Sequence, residues 1–380
     1  MFLFLCTQFL GWGCQSTETT SHTVLLQDGY LWQRNWTKKH VQQIEQRRGD
    51  WNALYALVVE VEWEEEKAKS TWIENPPKTE GVVVRVWVPP ESVDFASFLQ
   101  RLCTQVRNRY PDVLDIQLDI DMPTDRILEY AEALETVSQP VSITALPDWL
   151  SSSHFPALIR SVEHYVLQVH WLDPNAPDHL LHPQTRAIVK KANGFGVPFQ
   201  VALPTYGYRI YQEKGEILSV VAEESLVFDS SFQEVMANPQ EIAELMTEWN
   251  TQHPQHLYGV IWFRFPFFSD RRNWPYKTLM AVREGRKPEK KGVVVRQKSG
   301  EQLWDISLKN TGESVFLLPT LCTQTHVLLA DGLQDYRWEG NCFVPTKRGL
   351  RPDEELSIGW VRSALAPNFV SEVSYVDPIF

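Results

Sequence analysis

The segment Val113-Leu114-Asp115-Ile116-Gln117-Leu118-Asp119-Ile120-Asp121-Met122-Pro123 alternates with a period of two. Leu114, Ile116, Leu118 and Ile120 hold one set of positions, and Asp115, Gln117, Asp119 and Asp121 hold the other. Successive side chains of a β-strand point to opposite faces, so one face is aliphatic and the other carries three carboxylates and an amide. On an edge strand half in water such a face is ordinary. Inside a parallel barrel it points into the interior, where grouped carboxylates are costly to bury and mark chemistry.

The flanking sequence favours the barrel. Apolar, β-branched runs at 30–34, 54–62, 82–88, 114–121, 141–146, 165–170, 199–203 and 258–265 predict eight strands. Amphipathic stretches at 38–47, 93–109, 124–136, 155–162, 184–193 and 239–250, and one begun near Pro275, predict the helices between them. This alternation across residues 23–286 is the pattern of an α/β fold, a (β/α)8 TIM barrel. An open doubly wound sheet would want a glycine-rich phosphate loop after its first strand, and Trp32-Gln33-Arg34-Asn35-Trp36 has no glycine. Two excursions, 63–80 and 206–234, follow the second and seventh strands, at the end where barrels keep their substrate loops. Residues 287–380 change texture. Turns at Lys298-Ser299-Gly300, Asn310-Thr311-Gly312, Asp331-Gly332 and Glu339-Gly340-Asn341 predict a small C-terminal antiparallel β-sandwich.

Met1 to Gly13 is apolar apart from Thr7 and Gln8 and ends at Cys14. It is too short to span a membrane and suits an export signal, although no basic residue precedes the apolar tract. Residues 1–14 are read as a signal peptide with a lipobox-like end and 15–22 as a tether, so that Cys14 is lipidated and anchors the protein to the bacterial envelope. Cys322 and Cys342 then fall where an oxidising compartment would let them pair. No zinc spacing occurs, and neither a metal nor a cofactor is expected.

Composition narrows the partners. A net charge of −12 argues against nucleic acid as a partner, since its phosphates demand a basic surface. The 15 tryptophans, several near predicted strand ends, suit either a large core or a cleft in which sugars stack.

In a barrel of this kind functional groups stand at the C-terminal ends of several strands. Those places hold Trp32 and Arg34, Glu60 and Glu62, Arg85, the strand-four acids, Asp148, Gln168 and His170, Tyr206 and Tyr208, and Trp262 and Arg264. Residues two apart on a strand are separated by about 6.5–7 Å, so Asp119 and Asp121 repel when both ionise and one pKa should rise. Asp121, nearer the mouth, is the candidate general acid and Asp119 its partner. Glycoside hydrolysis uses two such acids, or one acid with the substrate's own acetamide as nucleophile. A structural carboxylate–arginine network is the competing account of the same residues. Trp32, Tyr206, Tyr208 and Trp262 are expected to stack sugar rings, and Arg34, Glu60, Gln117, Asp148, His170 and Arg264 to bind polar groups.

The strand-four segment resembles the DxxDxDxE signature of the substrate-assisted chitinase-like barrels, with Asp119 at the last aspartate and Asp121 in place of the catalytic glutamate. Gln117 replaces the middle aspartate and Leu114 the first. The run Leu203-Pro204-Thr205-Tyr206-Gly207-Tyr208 and Trp262 look similar to elements lining those sites. A wider similarity, over residues 25–280, is carried by 31–36, 116–121, 142–149 and 166–170 and points to the bacterial family called domain of unknown function 3142. That resemblance implies a glycosidase-like barrel, common in envelope proteins, with no assigned activity. The expected function is binding or hydrolysis of a polysaccharide or glycan; the alternative is a non-catalytic carbohydrate-binding or structural envelope lipoprotein.

Overall fold

The computed structural model describes residues 24–171, 179–213, 216–221, 232–346 and 349–371. The expected leader, tether and Cys14 lie outside the described residues. Eight strands run parallel around a closed barrel: β1 Leu26–Leu31, β2 Leu54–Glu64, β3 Gly81–Val86, β4 Asp115–Asp119, β5 Ser142–Ala145, β6 Tyr165–Gln168, β7 Phe199–Pro204 and β8 Leu257–Phe263. Each pairs with its neighbour in sequence, and β1 closes the ring by pairing with both β8 and β2. Helices α1 Lys38–Arg47, α2 Phe95–Arg109, α3 Ile127–Glu135, α4 Phe155–Arg160, α5 Thr185–Asn193, α6 Pro239–Thr251 and α7 Tyr276–Arg283 follow every barrel strand except β2. The first strand starts four residues before its expected position and ends at Leu31, so Trp32 and Arg34 project beyond it into the mouth.

Local chemistry explains the elements. The outward residues Ile116 and Leu118 of β4, and Ile120 just beyond it, are fully buried under the helix layer, each contributing roughly 1.5–3 kcal/mol by removal from water. Helix α2 buries Phe95, Leu99, Leu102, Cys103 and Val106, one helical face, and Asp94 caps it by accepting from Ser97 N at 3.1 Å. After β2 the acidic turn at Glu65, in the left-handed region with φ 55°, reverses the chain. Lys67–Trp72 then pairs antiparallel with Val59–Glu64 where a helix would otherwise stand. At the bottom of the barrel a Cβ at Gly81 would collide with the Tyr55 ring, so glycine is what lets that ring fill the interior.

Two register shifts fix which side chains face inward. One falls between Leu57 and Val59 in β2, the other between Leu257 and Gly259 in β8. The barrel interior collects Tyr30, Tyr55, Val83, Val166, Ala202 and Ile261, with Trp32 and Phe263 above them.

The C-terminal region is built of antiparallel sheets. Gly292–Lys298, Leu303–Asn310, Glu355–Arg362 and Leu329–Gly332 form one; Tyr336–Glu339, Cys342–Pro345, Leu321–Thr323 and Phe369–Ser371 form another. Ile306, Ile358 and Val361 of the first share a core with Leu321, Tyr336 and Phe343 of the second. A disulfide joins Cys322 to Cys342, directly opposite on neighbouring strands. The region is tied to the barrel by Arg351, which donates to the carbonyls of Asn273 at 2.9 Å and Asp270 at 3.2 Å. Among the described residues no helix is long and apolar enough to cross a membrane.

Candidate functional site

The inward face of β4 stacks its polar residues from bottom to top of the barrel. Asp115 lies lowest and accepts from Ser142 Oγ at 2.6 Å. Burial holds its carboxyl above the usual range, against the opposing influence of His164, Ser142 and Tyr55. Gln117, next above, is wholly buried; its Oε1 accepts from the Tyr30 hydroxyl and its Nε2 donates to Ser142 Oγ at 3.3 Å. Gln117 was expected to touch ligand, but it lies beneath Tyr30 as part of the barrel's internal scaffolding.

Above this layer the barrel opens into a cup of about 360 Å³. The strand order gives it two unlike walls. Adjacent strands β2, β3 and β4 raise Glu60, Arg85, Asp119 and Asp121 on one side. Strands β1, β8, β7 and β6, also adjacent, lead to Trp32, Phe263, Tyr206 and His170 on the other.

The charged wall is tightly bonded. Arg85 Nη1 donates to Asp119 Oδ2 at 2.6 Å and Nη2 to Asp121 Oδ2 at 2.7 Å, so one guanidinium spans both acids. Burial opposes the arginine's charge, but the two carboxylates outweigh it and raise its pKa. Asp119 Oδ1 takes two further bonds, from Thr144 Oγ1 at 2.8 Å and Gln168 Nε2 at 3.1 Å. Among the described residues Asp121 accepts only from Arg85, through Oδ2, and its side chain is 39% exposed against 5% for Asp119. Its pKa is raised by burial and by the neighbouring Asp119, with Arg85 pulling the other way. Arg34 completes the wall, gripping Glu60 through Nε at 2.7 Å and Nη2 at 2.8 Å.

The opposite wall is a chain of edge-on and tilted rings. Trp32 and Phe263 lie 5.1 Å apart between centroids, Phe263 and Tyr206 5.3 Å, and His170 and Phe263 5.2 Å. Burial pushes His170 down to about 4 and the Tyr206 hydroxyl up to about 12, so both are uncharged near neutrality. Trp87 stands at the rim, 41% exposed, with the Arg85 guanidinium 5.6 Å from its ring centroid.

Of the residues expected at the site, Trp32, Arg34, Glu60, Asp119, Asp121, His170 and Tyr206 line this cup. Trp262 does not. It is fully buried toward the helix layer, its indole N–H donating to Gln27 Oε1 at 2.8 Å, because the register shift in β8 turns Ile261 and Phe263 inward instead. Tyr208 is also misplaced as a sugar platform: it is buried in Gly207–Glu213, its hydroxyl donating to the carbonyl of His179 at 3.4 Å. Asp148 sits exposed on the short turn Pro147–Ser151 and does not reach the cup. Arg264 lies in a neighbouring recess, bonded to Asp270.

Tyr30, Trp87, Thr144 and Phe263 line the cup without having been picked out as site residues. Tyr30 was legible, since it precedes Trp32 by two on the same face. Phe263 was masked by the more conspicuous Trp262. Among the described residues no three His, Cys, Asp or Glu side chains converge to hold a metal ion.

No curated protein matches this chain. Its fold is similar to that of the chitinase ChiA74 from Bacillus thuringiensis, at 9% identity and a TM-score of 0.44, over 91% of this chain and 100% of that one. It is also similar to the tamarind chitinase-like lectin, at 8% identity and a TM-score of 0.37, over 63% of this chain and 94% of that one. Likenesses this distant do not speak to activity. Residues 88–268, from the rim of the cup through β8, match the model of the family described as a domain of unknown function, DUF3142.

Proposed function

We propose that the cup binds a sugar unit of a glycan and that the protein is glycoside-hydrolase-like, with Asp121 as general acid. The observation that carries this reading is the pairing of an aromatic wall with a carboxylate–guanidinium wall across one open cup. A pyranose has the same two-sidedness: C–H faces that pack on rings and hydroxyls that bond to charged groups. Asp121 suits the acid because its carboxyl favours the proton and its Oδ1 makes no hydrogen bond among the described residues.

Asp119 has three donors and Glu60 is held by two nitrogens of Arg34. Neither is free to attack carbon. On a 2-acetamido sugar the substrate's own acetamide then serves as nucleophile, so of the oligosaccharides tested below only the chito series can follow this route. Asp121 protonates the glycosidic oxygen as the bond to C1 breaks and the acetamide oxygen bonds to C1. Water deprotonated by the resulting carboxylate opens the cyclic intermediate and restores the acid. A non-catalytic carbohydrate-binding protein is the second reading, favoured by the 2.7 Å contact through which Arg85 holds Asp121.

The purified protein, assayed for binding and cleavage of chito-, cello- and xylo-oligosaccharides, separates the two. Cleavage that falls at least about a hundredfold in Asp121→Asn, with binding kept, supports the enzyme. Binding without cleavage supports the second reading, and silence across all three series refutes both. We further read the C-terminal sheets as a small sandwich, and Cys14 as the lipid anchor of an exported protein; release of Cys14→Ser from membranes tests the anchor.

A further inference from the structure

Beside the cup lies a second recess of about 300 Å³, most of whose lining residues have no part in the acid mechanism. Trp32 and Arg34 line both spaces, so the recess continues the cup across the Trp32 side chain. Its other lining comes from His40 of α1 and two loops: Gln33 and Asn35 after β1, and Arg264, Ser269 and Asp270 after β8.

The loops are held in place before any ligand arrives. His40 accepts from the Thr37 backbone N–H through Nδ1 at 3.4 Å, and it bonds the Asn35 backbone as well. Its ring packs on Phe267 at 4.7 Å between centroids. Across the recess, Gln43 of α1 accepts from Phe268 N at 2.8 Å. Phe265 N donates to the Tyr30 carbonyl at 2.8 Å, so the loop after β8 is pinned to β1 itself. A recess shaped in this way loses little entropy when filled.

The chemistry of the lining specifies the occupant. Arg264 and Asp270 form a buried pair at 2.7 Å, and Arg34 is bonded to Glu60. Burial pushes His40 below the ordinary histidine range, so it is uncharged at neutral pH. Every formal charge in the recess is therefore already matched, which disfavours a uronate, a sulfate or an ammonium group that would add one more. The side chains of Gln33, Asn35 and Ser269 make no hydrogen bond among the described residues, and they supply neutral donors and acceptors beside the Trp32 ring.

We propose that this recess is a second subsite for an uncharged sugar, so that the protein takes a neutral oligosaccharide of at least two units laid across Trp32. The proposal rests on the carbohydrate reading of the cup. Contacts here anchor a unit remote from the acid, and such anchoring places the scissile bond against Asp121.

Calorimetric titration with N-acetylglucosamine, its β-1,4-linked disaccharide, and glucose with cellobiose tests it. The disaccharide of at least one series should bind tenfold or more tightly than its monosaccharide. Ser269→Trp, an exposed position where a ring fills the recess, should abolish that gain and leave the monosaccharide affinity and the thermal midpoint unchanged. Asn35→Ala should reduce the gain by threefold or more. Equal affinity for one unit and two, or disaccharide binding unaffected by Ser269→Trp, overturns the subsite while leaving the cup's reading intact. A uronate-containing disaccharide that binds more tightly than the neutral ones overturns the stated class. No binding by any sugar overturns this proposal together with the carbohydrate reading.

Discussion

Arg85 of β3 donates through Nη1 to Asp119 Oδ2 of β4 at 2.6 Å, where the arginine side chain is 24% exposed and the aspartate 5%. The bond joins neighbouring strands at the level where the barrel opens, and removing one partner leaves the other charged in a poorly solvated place. Arg85→Met should destabilise the fold by about 3 kcal/mol. Adding Asp119→Asn should recover at least half of that loss. Urea unfolding of the two single variants and the double variant measures the coupling, and additive losses would show that the pair is not a unit.

Trp32 and Trp262 offer a test of which face of each strand looks into the cup. Trp262→Ala removes a fully buried ring from between barrel and helices, and should cost about 3–5 kcal/mol of stability. Trp32→Ala should lower stability far less and weaken glycan binding about tenfold or more. Thermal unfolding alongside titration reads both. A Trp262 variant that folds normally but fails to bind would reverse the assignment.

The bottom of the barrel carries a pH dependence of its own. Burial raises Asp28 to about 6, although Gln200 Nε2 at 2.6 Å and Ala53 N at 2.8 Å both donate to it. The folded state thus favours the protonated form. The stabilisation is fully present below about pH 4, declines as pH rises, and is gone above about pH 6, a change of roughly 3 kcal/mol. Asp28→Asn should flatten the stability profile between pH 4 and 6 and leave the variant more stable than the parent at pH 7. Gln200 Oε1 has no partner among the described residues, so a turn of that amide accommodates the substitution. Urea midpoints that track each other across this window would contradict the assignment.

Cys322 and Cys342 are 20 residues apart in sequence. Closing a loop of that size stabilises by roughly 3 kcal/mol. Cys322→Ser together with Cys342→Ser should lower the unfolding midpoint of the C-terminal sheets and leave the barrel transition in place. Differential scanning calorimetry resolves the two, and an unshifted thermogram would mean that the bond contributes nothing.

The barrel was legible because its β4 obeys simple alternation: Asp115, Gln117 and Asp119 all point inward, as the period-two pattern required. The strand-end rule likewise located Glu60, His170 and Tyr206. It failed where a strand does not keep step. In β8 the register shift near Gly259 comes before Trp262, and position at the strand end alone put that residue in the cup in place of Phe263. In β2 the shift between Leu57 and Val59 lets Tyr55 and Glu60 share the interior although their numbers differ in parity. A one-residue slip exchanges faces, and nothing local in the sequence announces it. Asp148 failed for another reason: the chain turns through Pro147–Ser151 immediately after β5, carrying the carboxylate away from the axis.

The column of bonds beneath the cup has a direction. Tyr30 gives its proton to Gln117, Gln117 donates to Ser142, and Ser142 donates to Asp115. Every link points away from the mouth, toward the buried carboxylate. The phenol at the floor has therefore committed its only hydrogen downward, and what remains to a visitor from above is oxygen lone pair. A molecule coming to rest there must bring its own O–H or N–H. A hydroxyl-bearing ring satisfies that floor, while an ether or carbonyl edge meets two oxygens with no proton between them.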